Sequence, residues 1–412
     1  MPRTKALGLA AAATALTLGL AACGGGGGEG GGDQEPLQFG YIFPETGDLS
    51  HLGPPQISAA KYAHSEINKA GGVLGKELPG VLTGDEANDA AQAVEAADGL
   101  LDKDVDAVLG AAASGMTMAI IDKITKEKVV QCSGSNTAPD LTDYDDGGFY
   151  FRTAPSDLLQ GPVLADTVAA DGHQSVAIVH RADDYGDGLA EATKTGLEDA
   201  GIEVKATESY DPNSPNFGSV VDAVKDAKAE AVVMVSFEEG VQIITGLIEA
   251  GVKTDTMYAT DGLSDETLAG KVDKDKPETL KGFSGTAPAV DNKKFQEDLT
   301  AYDDKLEVFQ YAPQVYDCAI SIALAAEAAE STDPAVFVKE LPKVTKDGEE
   351  CTGFEQCRDL IKDGKDVDYT GASGPIDFDE NGDVAAASIG IYEFGDKGKL
   401  DWVDYVETKP ES

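Results

Sequence analysis

Hydroxyl, carboxylate and aromatic side chains recur in this chain just after short apolar runs that read as strands. They occur at Glu45-Thr46-Gly47, Ser114-Gly115, Ser135-Asn136-Thr137, Asp183-Asp184-Tyr185-Gly186, Phe237-Glu238-Glu239 and Thr260-Asp261-Gly262. Hydroxyls beside a helix start, with its free N–H groups, suit a carboxylate without adding a titrating group. Ser114 stands where a strand gives way to a helix, so its side chain could equally cap that helix. A carboxylate such as Asp261 suits an ammonium, since a charge-assisted pair is the strong form of that contact. Tyr185 and Phe237 offer apolar area with few rotors, or plain core packing. Catalytic types do not assemble. There is no Gly-x-Ser-x-Gly element or Cys–His arrangement, and His51, His64, His173 and His180 lack metal spacing. The run Asp377-Phe378-Asp379-Glu380-Asn381-Gly382-Asp383 opens like a calcium loop, but Ser388 stands where that loop needs an acid. A β-turn at Asn381-Gly382 is the preferred reading. The glycines at 24–32 follow no strand and precede no Lys-Ser/Thr, so they form no phosphate loop. The expectation is a binding protein without metal or cofactor, and not an enzyme.

The elements that must position these residues alternate. Residues 37–43, 105–109, 129–132, 175–180, 202–210, 231–237 and 256–259 read as strands with helical stretches between them. Pro54 and Pro55 open one helix, Ile57, Ala60, Ala63 and Ile67 line its apolar face, and Gly71-Gly72 stops it. This βα rhythm predicts parallel sheets covered on both faces, with ligands beyond the carboxyl ends of the strands. At 412 residues the chain exceeds what one core usually supports, so two domains are expected.

Arg3 and Lys5 precede an apolar stretch, residues 6–20, shorter than the roughly 20 residues of a transmembrane helix. The order of basic end, apolar run and small residues is that of an export signal. Leu20-Ala21-Ala22-Cys23 resembles a lipobox, which implies cleavage after 22 and diacylglycerol on Cys23. Residues 23–36 then form the lipidated cysteine and a Gly-rich tether. Formal charge is −43, from 75 acidic and 32 basic residues spread along the chain. Such a chain repels nucleic acid and anionic membrane surfaces, which leaves the lipid as its membrane contact. Cys351 and Cys357 suit a short disulfide loop outside the cytoplasm. Cys132 and Cys318 are left open between a pairing and two small buried residues.

The chain resembles the type I periplasmic binding proteins of branched-chain amino acid uptake, the leucine/isoleucine/valine-binding group. The stretches that carry the likeness run in family order. They are Glu45-Thr46-Gly47 with Leu52-Gly53, residues 66–75, Asn136-Thr137-Ala138-Pro139-Asp140-Leu141, residues 151–157, Gln160-Gly161-Pro162, Tyr185-Gly186-Asp187-Gly188-Leu189 and Gly374-Pro375-Ile376-Asp377-Phe378. The resemblance implies an α/β fold of two doubly wound lobes joined by three crossovers, near Thr153, Thr286 and Pro375. Lobe one would be 37–153 plus 287–374, and lobe two 154–286 plus 375–408. It further implies that Ser114 and Thr137 hold a ligand carboxylate and Asp261 the ammonium, with carbonyls near Ser135 or Asn136 completing the shell. Tyr185 and Phe237 would close over the ligand. Asp261 stands where the family carries a glutamate, and Leu52 where it often carries a large aromatic. The implied function is that of a monomeric, lipid-anchored, extracytoplasmic receptor that passes a small solute, an amino acid, to an ABC permease. Alternatives are a receptor of the same fold for an amide, urea, aromatic acid or short peptide, one that feeds a sensor, a surface enzyme or a structural envelope lipoprotein.

Overall fold

The computed structural model describes residues 34–408, so Cys23, the export segment and most of the tether lie outside the described residues. Five strands form one sheet: β1 (Phe39–Phe43), β2 (Leu82–Asp85), β3 (Ala107–Gly110), β4 (Val130–Ser133) and β5 (Tyr150–Arg152). All are parallel, in the order β2-β1-β3-β4-β5. The next five strands repeat this winding: β6 (Ser175–Arg181), β7 (Glu203–Tyr210), β8 (Ala231–Val235), β9 (Met257–Ala259) and β10 (Ser284–Pro288). They lie in the parallel order β7-β6-β8-β9-β10. A small third sheet holds β11 (Glu349–Cys351), β12 (Val367–Gly371) and β13 (Gly374–Pro375). The chain then adds β14 (Ala387–Phe394) and β15 (Leu400–Thr408), antiparallel, to the edge of the second sheet at β10.

Burial explains why these runs become strands. Every residue of β1, β3, β4, β5, β6 and β8 is buried, as expected of parallel strands with helices on both faces. The edge strand β7 alternates exposed and half-buried residues over most of its length. Helices begin at side-chain caps: Asp89 accepts from the N–H groups of Ala91 and Gln92, and Asp183 from that of Gly186. The helix Ala312–Ala328 is buried along all but its last residue and fills the core of the first lobe.

The chain passes between the two large sheets three times. It does so after β5, after β10 and before β14. The last passage differs from the expected one near Pro375. β13 pairs with β12, and Ile376, Phe378 and Val384 pack into the first lobe's core. Arg152, at the end of β5, grips Asp383 through two bonds, Nε to Oδ1 at 2.5 Å and Nη2 to Oδ2 at 2.7 Å. That bidentate pair pins the segment to lobe one, so the crossing falls between Val384 and Ala387. The turn expected at Asn381-Gly382 is present: the Gly382 N–H donates to the Asp379 carbonyl at 3.3 Å and Gly382 has φ +77°. Among the described residues no helix is long and apolar enough to cross a membrane, and no acidic, histidine or cysteine cluster could hold a metal.

Candidate functional site

In both sheets the strand order reverses beside the first strand, and the loops at the carboxyl ends of the flanking strands converge on one cleft. The lobes are closed on each other there. Leu49, Leu52, Ala113 and Tyr311 from the first lobe share one apolar cluster with Tyr185 and Phe237 from the second. Between them lies a cavity of about 10 Å³, room for about one water. Its wall includes Leu52, Ser114, Ser135, Thr137, Tyr185, Phe237 and Asp261, seven residues singled out from the sequence.

One side of the wall is rich in donors. The helix Ser114–Lys126 starts after Ala113, which offers no side-chain acceptor, so its leading N–H groups remain for an anion. Ser114 lies just inside this helix and does not cap it. Its hydroxyl accepts from the N–H groups of Thr137 and Ala138, both at 3.3 Å. Beneath this loop the fully buried Glu86 accepts from the N–H groups of Ala112 at 2.7 Å and Ala113 at 3.1 Å. Burial pushes the Glu86 carboxyl up to about 8. Ser135 donates to the Ala112 carbonyl and to Gln56 Oε1, both at 3.1 Å. The Asn136 side chain is absent from the cavity wall. Its amide donates to the Ala111 and Ala112 carbonyls at 3.0 and 2.8 Å, and its oxygen accepts from the Tyr150 hydroxyl at 2.9 Å. A side chain so engaged holds the loop and has no group left for a ligand.

The opposite side is acidic. Asp261 Oδ1 accepts from the Tyr185 hydroxyl at 2.8 Å and from Gln160 Nε2 at 3.2 Å, and Oδ2 from the Tyr311 hydroxyl at 2.8 Å. Gln310 Nε2 donates to the Asp261 carbonyl at 3.0 Å. Asp157, wholly buried and electrostatically coupled to Asp261, begins the helix Asp157–Ala170. Its N–H donates to the Thr137 carbonyl at 2.7 Å, and the Thr137 side chain is the hydrogen-bonding neighbour of its carboxyl. Burial, and then the Asp261 charge, push Asp157 well above the usual carboxylate range. Burial also raises Asp261, while its tyrosine and glutamine donors hold it back.

The aromatic wall is a layered stack. Tyr185 and Phe237 lie with ring centroids 5.1 Å apart and planes 22° from parallel. The Arg181 guanidinium sits 3.6 Å from the Phe237 centroid and is itself held by Glu239 at 3.0 Å. Away from the cavity, Cys351 is bonded to Cys357 and Cys132 to Cys318. Asp157, Gln160, Glu86 and Tyr311 were not singled out from the sequence. Ser156 caps the helix that Asp157 begins, at 3.4 Å from the Leu158 N–H. Tyr311, which lines the cleft, is one of eleven non-glycine residues at positive φ among the described residues, at +61°.

Comparison with known proteins matches residues 36–399 to the family described as periplasmic binding protein. The chain is 26% identical over 367 residues to Leu/Ile/Val-binding protein homolog 3 of Brucella melitensis, covering 88% of this chain and 92% of the relative. The substrate-binding protein LivJ of Streptococcus pneumoniae, solved with isoleucine, superposes with a TM-score of 0.73 at 22% identity, over 91% of this chain and 100% of that one. A solute-binding protein of R. palustris, solved with 4-hydroxybenzoate, gives a TM-score of 0.72 at 19% identity, over 91% and 98%. These two solved structures carry the likeness of fold.

Proposed function

The chain belongs to the periplasmic binding protein family, and from that premise and the cleft geometry we propose that it is the lipid-anchored solute receptor of an ABC importer. Its ligand in this reading is a free amino acid of branched-chain type, bound between the lobes and released by hinge opening. The observation that carries the reading is Asp261, a buried carboxylate in a cavity wall that also holds Ser114, Ser135, Thr137 and a bare helix start, with a second buried carboxyl, Asp157, close enough to act on its charge. That is the charge layout of a zwitterion, and an ammonium at Asp261 lets both carboxyls ionise. Ser114 and Thr137 take the carboxylate. Leu52, Tyr185 and Phe237 enclose the side chain. The cavity is far smaller than an amino acid, so entry requires the lobes to part.

A second reading, an aromatic carboxylate, rests on Asp261. That carboxylate already accepts three side-chain donors and so has less need of an ammonium. Calorimetric titration of leucine, its des-amino analogue 4-methylpentanoate and 4-hydroxybenzoate separates the two. Asp261→Ala should weaken leucine by roughly tenfold or more while changing 4-methylpentanoate little. Equal losses for both remove Asp261 from the ammonium role, and binding of 4-hydroxybenzoate alone selects the aromatic acid. Cys23→Ser should move the protein from the membrane to the soluble fraction, and retention at the membrane would refute the anchor.

A further inference from the structure

A second cavity of about 240 Å³ lies on the other side of Tyr311 from the cleft. Its walls come from both lobes. Trp402 and Tyr405 belong to β15 of the second, and Glu307 and Phe309 to the segment that leads into the helix Ala312–Ala328 of the first. The Trp402 and Tyr405 rings are stacked, 6.1 Å between centroids and 23° between planes. Glu266 and Glu307 add two carboxylates, and among the described residues no lysine, arginine or histidine lines the space, Lys399 lying near Glu266 outside it. Gln314, 4% exposed, also lines this space. Aromatic groups and carboxylates attract a cation, and aromatic groups favour a weakly hydrated organic one over a metal ion.

The cavity and the cleft share parts. Tyr311 lines both, and its hydroxyl holds Asp261 Oδ2. Gln310 donates to the Asp261 carbonyl and accepts from the Ser264 hydroxyl at 2.7 Å, and both residues line the second cavity. An occupant seated between Phe309 and Trp402 touches both lobes and so favours their closed arrangement.

We propose that this cavity is a second binding site, for a compact organic ammonium ion, and that its occupancy favours lobe closure and tightens binding at the cleft. The site goes beyond the amino acid reading, and its binding half does not depend on that reading.

Trp402 is the chain's single tryptophan, so its fluorescence reports on this cavity directly. The test titrates choline, and its neutral isostere 3,3-dimethyl-1-butanol, into the full chain without any cleft solute. Choline should give a saturable change at millimolar concentration and the isostere none. Glu266→Gln and Glu307→Gln should each weaken choline by roughly three- to tenfold. Saturating choline should then raise the affinity for whichever solute binds the cleft by about fivefold or more. Equal response to the isostere would show an apolar hole and overturn the cation claim. A response that never saturates and is matched by sodium chloride would show screening of the acidic surface, and no response at all would overturn the site. A choline response in a protein whose cleft binds no amino acid would sink the amino acid reading and leave this site standing. Cleft binding indifferent to choline would overturn the coupling.

Discussion

Two carboxyls that share a buried space, Asp157 and Asp261, repel each other when both are ionised. Both stand above the usual 3.8 in the folded chain, so folding takes up protons that the unfolded chain releases. The stability this contributes is present below the usual carboxylate pKa and is lost as pH rises through the folded values. As pH rises, the ligand-free fold therefore bears a growing cost for keeping the two carboxyls together, which a ligand ammonium relieves. Asp157→Asn should stabilise the ligand-free protein at about pH 7.5 by roughly 1–3 kcal/mol, and the gain should shrink towards about pH 4.5, where Asp157 is already neutral. Thermal melts at the two pH values check this. A variant that melts lower at neutral pH, or gains equally at both, removes the pair as a source of strain. Asp261 was legible because it follows a strand and precedes a glycine. Asp157 was not, since an aspartate after Ser156 is what an ordinary helix start contains, and its burial against Thr137, a residue of another loop, is something no local pattern reveals.

At the scale of elements, legibility followed burial. Strands β1, β3, β4, β6 and β8 are buried along their whole length with apolar residues at their centres, and each was read within two residues of where it lies. The third sheet was missed, because Glu349-Glu350-Cys351 pairs as a strand with two of its three residues exposed. The helix Ala312–Ala328 was also missed, because a helix buried on all sides, its polar Gln314, Asp317 and Ser321 included, has no stripe to read. Both omissions matter at the site. Tyr311 immediately precedes that helix, and the bond between Cys132 on β4 and Cys318 within it ties together the elements that present Tyr311 and Ser135. The two cysteines are 186 residues apart, so their meeting depends on the packing of this helix against the first sheet. The third crossing moved for a related reason. The bond from Arg152 to Asp383 is specified by the burial of both groups, and the sequence around Asp383 reads only as a turn.

For the whole molecule, the net charge of −43 is spread too evenly to select a ligand, and a zwitterion has no net charge for that field to steer. Closure is set instead where the lobes meet. His51, on the turn Ser50–Leu52 of the first lobe, has both ring nitrogens buried without a partner. It faces Asp265, Lys271 and Glu238 of the second lobe, where Lys271 bonds Asp265 at 2.9 Å and Glu238 at 2.6 Å. Burial, the largest influence, holds the imidazole below its usual 6.5; Asp265 and Glu238 act upward and Lys271 downward. Opening exposes the ring to water and returns it towards 6.5, so the open form binds the proton more readily. The contribution of His51 to closure is therefore fully present above about pH 6.5 and is lost as pH falls towards the depressed value. Ligand affinity measured by titration calorimetry should fall by roughly three- to tenfold between about pH 7.5 and 5.5. The carboxyl pair also loses its grip on an ammonium in acid, so the wild-type profile alone does not assign the effect. His51→Leu keeps an apolar contact at the lobe interface and removes the titrating ring, and it should flatten that part of the decline while leaving the affinity near pH 7.5 within a few-fold. An identical decline in the variant would assign the whole pH dependence to Asp157 and Asp261 and remove His51 from the control of closure.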